Sequence, residues 1–217
     1  MYELDKNVFA IHMALFFADG VEVPVLKIAL KLQEEFKIMF PSEPNIMPLP
    51  IDAPKEIPRC TFRNENGASI TVALSRMDFD AGIKVNTDWK NHISAVLLNF
   101  MRICETLDIR IIRAGVVVQA LGDDRIIGEL NSRVNIEGFE ESEEKNISFV
   151  KKKQIEDILL NVVTNIVYNR KNTDASKVVS VDANTDMSNE LPDGIVNKMH
   201  IIELIIDEIE GKLKNVF

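Results

Sequence analysis

The chain has 217 residues and a mass of 24.5 kDa, enough for one large domain or two small ones. Hydrophobic (46%) and charged (27%) residues stand near the averages of folded soluble proteins, which argues against intrinsic disorder and against a membrane bundle. The net charge of −9, without a concentrated Lys/Arg face, argues against a partner bound through a phosphate backbone, because that affinity comes from clustered cations.

Asn7 to Ala18 is short, rich in Val, Ile and Phe, and stopped by Asp19-Gly20, which predicts a buried strand. Its acidic flank and the turn that follows are unlike a signal peptide, and nowhere do 18 apolar residues run in succession, so a cytoplasmic chain is expected. Pro24 opens a helix with Val25, Ile28, Ala29, Leu32 and Phe36 at helical spacing. The six prolines from Pro41 to Pro58 predict an irregular loop, since proline removes backbone donors and fixes torsions. Arg59–Asn64 and Ala68–Asp78 then read as two strands joined by the tight turn Glu65-Asn66-Gly67. Thr87 or Asp88 caps a helix from Trp89 to Leu107, and Ile109–Leu121 reads as a long strand.

In the second half, Asp124–Asn131 reads as one or two helical turns, Arg133–Phe139 as a strand and Glu140–Glu144 as an acidic turn. Strand resumes at Phe149, and Ile155–Tyr168, crowded with Val, Ile, Thr and Asn, also favours strand. Asn169–Ser176 is a polar turn and Lys177–Asp182 a short strand. Gly194–Val216 carries the strongest helical pattern, on Ile195, Met199, Ile202, Ile206, Ile209 and Leu213. The fold class expected is α+β, a mainly antiparallel sheet with helices packed on one side.

The two halves, 1–108 and 109–217, repeat an order of elements, so one domain built from two similar units is one reading. Ala10–Asp19 sits over Ala114–Asp123 at an offset of 104, Ser69–Leu74 over Ser176–Val181 at 107, and Asp88–Asn91 over Gly194–Asn197 at 106. Chance alignment of apolar strands is the other reading.

Short blocks also stand in a recognisable order. They are Phe40-Pro41, Ile57-Pro58-Arg59 leading into Phe62, Ser75-Arg76 with Trp89 opening a helix, Ile112-Arg113-Ala114-Gly115-Val116, and Val181-Asp182 before the helix that bears His200. In these blocks, across residues 36 to 210, the chain resembles a family of uncharacterised, sporadically distributed bacterial proteins. The family continues its Arg-x-Gly strand with aromatic and Asn residues, where Val117, Val118 and Gln119 stand here. The resemblance implies a bacterial cytoplasmic protein encoded beside partner proteins, and brings no reaction with it.

Catalytic signatures are missing. Cys60 and Cys104 stand far apart without metal-ligand spacing, and read as buried thiols. His12, His92 and His200 have no partner at metal-binding spacing; His12 reads as a hydrogen-bonded core or interface residue. Neither nucleotide-binding glycine spacing occurs, nor a nucleophile elbow. No cofactor is expected. Asp182-Ala-Asn184-Thr-Asp186 has the alternating oxygens that open a calcium loop, but Met187 replaces the required Gly. With Asp78 and Asp80 in the comparable place of the first half, it forms the alternative reading, a metal-dependent hydrolase. A solvated loop with Asp193 as helix cap is the simpler account, and Lys151-Lys152-Lys153 reads as a solvated face.

Apolar residues run around more than one face of the last helix, so Ile201, Ile205, Ile206 and Ile209 are either centrally buried or shared with a partner. The leading functional expectation is a non-enzymatic protein-interaction module, a subunit of a homo-oligomer or multiprotein assembly.

Overall fold

A computed structural model describes residues 7–50, 52–82, 88–122, 142–169 and 177–215, with Arg125, Ile126, Gly128 and Ser132. In chain order the elements are β1 (Val8–Phe17), α1 (Val25–Glu35), β2 (Asn45–Ile46), β3 (Cys60–Arg63), β4 (Ser69–Val72), β5 (Arg76–Asp80), α2 (Trp89–Thr106), β6 (Ile111–Leu121), β7 (Glu144–Ile155), β8 (Ile158–Asn169), β9 (Lys177–Thr185) and α3 (Ile195–Lys214). The strands form one sheet in the order β2-β3-β4-β5-β1-β6-β9-β8-β7, with every pairing antiparallel. This is the α+β architecture expected.

Alternation along the strands decides which face is covered. Ile11, Met13 and Leu15 of β1 point the same way as Met77 and Phe79 of β5, Val116 and Val118 of β6, and Val179 and Val181 of β9. All are buried, in one core cluster with Ile28 and Leu32 of α1, Ile93 and Phe100 of α2, and Ile202 and Ile209 of α3. The helices therefore lie on one side, with α2 packed between α1 and α3. The opposite face carries Ala10, His12, Ala14 and Phe16 of β1 with their cross-strand neighbours.

The halves follow the same path. In each, a first strand (β1 or β6) is joined by a three-strand meander that returns to pair with it, giving β1-β5-β4-β3 and β6-β9-β8-β7, and a long helix (α2 or α3) closes the unit. The first strands pair with each other at the centre. The offset of 104 does not preserve the faces, however. It lays core-facing Met13 over Val117, which points to the open face, because β1 buries its odd positions and β6 its even ones. Ser69–Leu74 over Ser176–Val181 sets β4 on β9, whose topological counterpart is β5.

Two turns depart from expectation. Ala68–Asp78 is not one strand but β4 and β5, folded back at Ala73–Ser75, where the Lys55 carbonyl accepts from the amides of Leu74 (2.9 Å) and Ser75 (3.2 Å). Likewise Ile155–Tyr168 is broken at Glu156-Asp157, with Glu156 at φ 51°, to make the β7–β8 hairpin. Neither turn carries Gly, Asn or Pro; Ser75 and Asp157 are the only usual turn residues in them. Gly194, at φ 83°, precedes α3 in place of Asp193, and Asp88 makes no side-chain cap at α2. Thr87, the segment Arg133–Phe139 and most of Asp124–Asn131 and Asn169–Ser176 lie outside the described residues.

Candidate interaction surfaces

Helix α3 is not a free surface. Ile201, Ile205, Ile206 and Ile209 are 5%, 0%, 3% and 0% exposed, and belong to the chain's own core. The helix is apolar around more than one face because it packs on β6, β8 and β9 beneath it and on α2 beside it. Of the two readings for these residues, burial is the one that holds, and their place as an interface is corrected accordingly.

The open face holds a charged cluster around β1. His12 Nδ1 lies 2.8 Å from Asp80 Oδ1, and Nε2 lies 3.5 Å from Asp78 Oδ1. The pair Asp78 and then Asp80 push the His12 pKa up to about 9, while His12 draws Asp80 below its ordinary value. Buried Asp78 also faces Arg76 Nε at 3.1 Å and accepts from Thr71 Oγ1 at 3.3 Å; Asp80 accepts from Ser69 Oγ at 3.3 Å. The guanidinium groups of Arg113 and Arg76 lie 4.9 and 5.9 Å from the centre of the Phe16 ring. Position explains the cluster: residues on alternate positions of β4, β5, β1 and β6 meet in rows across one face. The raised His12 pKa favours the charged imidazole, which donates to both carboxylates.

The second acidic group is separate. Asp78 and Asp80 sit within β5, and Asp182 and Asn184 within β9, on interior strands and not in edge loops. Asp80, His12, Val117 and Asp182 form one row, so three interstrand steps separate the two aspartates, roughly 14 Å. One ion cannot bridge that span. Asp186 lies beyond the end of β9 and accepts from the Ser188 amide (3.0 Å), the Ser188 hydroxyl (2.7 Å) and Lys152 Nζ (3.0 Å). Those bonds, from Ser188 first, hold its carboxyl well below the usual carboxylate range. The Asn184 amide donates to Asp182 Oδ1 at 3.1 Å. Among the described residues no three His, Cys, Asp or Glu side chains gather as a metal site. The hydrolase arrangement of Asp78, Asp80, Asp182 and Asp186 is therefore not assembled.

His200 pairs with Glu156 at 2.9 Å beside an open cleft of about 370 Å³ that Asp157, Glu190 and Asn197 also line. A second cleft, of about 310 Å³, lies between the end of α2 and the start of α3, with Asp108, Arg110 and Lys198 in its wall. Both are shallow and ringed by mixed charges, including the pair Arg110–Glu190 at 2.5 Å.

The remaining feature is β7, the outermost strand of the sheet among the described residues. It runs for 12 residues, and from Ser148 to Lys152 every residue is exposed. Phe149 is 48% exposed on the helix side and Val150 71% exposed on the open face; Val167 of β8, 41% exposed, lies further along, opposite Asn146. An edge strand of this length presents unpaired backbone donors and acceptors to any chain able to add to it. Sequence reasoning placed Phe149 in a strand and Lys151–Lys153 on a solvated face without recognising the edge. The available signal is the apolar pair Phe149-Val150 set between Glu143-Glu144 and three lysines.

No helix among the described residues is long and apolar enough to cross a membrane. Neither a protein-family model nor a curated protein matches the chain.

Proposed function

We propose that the chain is a non-enzymatic protein-interaction module, a subunit of a homo-oligomer or multiprotein assembly in the bacterial cytoplasm. The observation that carries this reading is β7, a long strand, outermost among the described residues, whose apolar centre, Phe149 and Val150, stands in solvent while the sheet's other described apolar positions are largely covered. The charged clusters support it indirectly, since their carboxylates are engaged by His12, Arg76, Lys152 and Ser188 and are spread across the sheet. The bacterial, cytoplasmic setting rests on the blocks from Phe40-Pro41 to His200.

Affinity capture after cross-linking tests the proposal, using the tagged full chain and a Phe149→Lys/Val150→Lys variant. The expected result is a discrete protein, either an untagged copy of the chain or another protein, held in fixed ratio by the wild type and lost from the variant. A wild-type chain that captures no more than the variant and sediments as a monomer overturns it.

A further inference from the structure

We infer that Arg76 and Arg113, flanking Phe16 on the open face of the sheet, form a binding site for an isolated oxoanion, a phosphate or carboxylate group held by two guanidinium forks. The site lies on the central strands, away from β7, and does not depend on the interaction reading above. Register brings the three side chains into one row. Phe16 of β1 pairs with Arg76 of β5 on one side and with Arg113 of β6 on the other, so all three project from the same face. Their guanidinium carbons lie 5.9 and 4.9 Å from the centre of the one ring, which gathers two like charges about a single apolar group. Stacking on the ring holds the forks in place and leaves their charge unneutralised.

Both forks are fixed from behind by buried residues. Arg113 Nε donates to the Thr185 carbonyl at 3.3 Å, and Thr185 is fully buried, its hydroxyl accepting from the Ala114 amide at 3.2 Å. Arg76 Nε faces Asp78 Oδ2 at 3.1 Å, and buried Asp78 is held in turn by Thr71 and His12. Each Nε is thus turned toward the protein, while the Nη groups of both arginines have no hydrogen-bond acceptor among the described residues. The Arg76 side chain is 39% exposed, and Arg113 and Phe16 are partly exposed. A paired Nη edge is the planar donor set that matches two oxygens of a phosphate or carboxylate.

Charge balance marks Arg113 as the cation in excess. Asp78 and Asp80 face His12 and Arg76, two acids against two bases. Asp186, the neighbour of Thr185, is engaged by Ser188 and Lys152. No carboxylate among the described residues pairs with Arg113. One bound oxoanion supplies that missing charge and accepts from both forks. The net charge of −9 and the aspartates beside the site favour a single compact anion over a polyanion.

Inorganic phosphate and acetate, titrated separately into the isotope-labelled full chain at constant ionic strength, test the site by nuclear magnetic resonance. Saturable displacement of the Arg113 Nε and Phe16 ring signals is expected, with tighter binding of phosphate or of acetate assigning the natural ligand to phosphates or to carboxylates. Arg113→Gln, folded by circular dichroism, should raise the Kd by about tenfold or more. Arg113→Lys keeps the charge and loses the fork, so it should raise the Kd by about three- to fivefold, and it serves in place of Arg113→Gln should that variant fail to fold. Displacements that do not saturate, that sodium chloride alone reproduces, or that are unchanged in folded Arg113→Gln or Arg113→Lys overturn the site.

Discussion

The two outer edges of the sheet belong to halves that follow the same path, yet they are finished in opposite ways. At the first-half edge, β3 has four residues, β2 adds two more, and the proline-rich loop is tied down by Arg59, whose guanidinium donates to the carbonyls of Leu49 (3.1 Å) and Pro50 (3.2 Å). Phe62 of β3 packs edge-on against Phe40 at 6.1 Å and is 1% exposed. At the second-half edge, β7 is three times as long as β3, and Phe149, in the corresponding strand, stands 48% exposed. Short strands, proline and covering loops are the means by which sheets block unwanted pairing. Among the described residues these features stand along β2 and β3 and not along β7.

The largest expected effect breaks or upholds that comparison directly. Phe62→Ala should cost about 3 to 5 kcal/mol in urea unfolding, through lost burial and the cavity left behind, whereas Phe149→Ala should cost under about 1 kcal/mol at concentrations where the chain is monomeric. Equal losses would mean that the two edges are closed alike. Next, Ile205→Ala should destabilise by about 2 to 5 kcal/mol at every protein concentration, since Ile205 lies in the chain's own core; a loss that vanishes on dilution would return α3 to an interface.

A smaller effect separates the halves by pH. In the row shared by both, His12 stands beside Asp80 in the first half and Val117 beside Asp182 in the second. Because the folded pKa of His12 is raised from 6.5 to about 9, its contribution is fully present below pH 6.5 and is lost as the pH rises through about 9. With the side chain 40% exposed, solvent screening brings the expected loss to about 1 kcal/mol. Unfolding midpoints from pH 6 to 10 should fall for the wild type and flatten for His12→Gln; a parallel fall in both would sink the assignment. Finally, burial pushes the Cys60 thiol up to about 11 and the Cys104 thiol up to about 12. Neither should react with a thiol reagent at pH 8 on the native time scale, and rapid labelling of Cys60 would show that the proline-covered edge opens.

Much of the fold is legible in the residues because local patterns and tertiary packing agree. The Asn66-Gly67 hairpin, α2 and α3 fall within a residue or two of their expected ends, since turn chemistry and helical spacing are properties of neighbouring residues. The missed turns at Ala73–Ser75 and Glu156-Asp157 are held by a distant carbonyl in one case and by an uncommon backbone torsion in the other. Of the candidate site, the residues were visible and the grouping was not. Asp78 and Asp80 lie near each other in sequence, but His12 reaches them only through the β1–β5 pairing, and Asp182 is kept away by β1 and β6.

The sequence by itself determined the element types, the α+β class and the apolar character of α3, because periodicity and turn residues act over a few positions. Only the tertiary structure decided that α3 is covered, that β7 is the outermost described strand, and that the two acidic groups stand three strands apart. Strand order and register join residues some 70 positions apart, and nothing in a local pattern specifies which strand lies beside which.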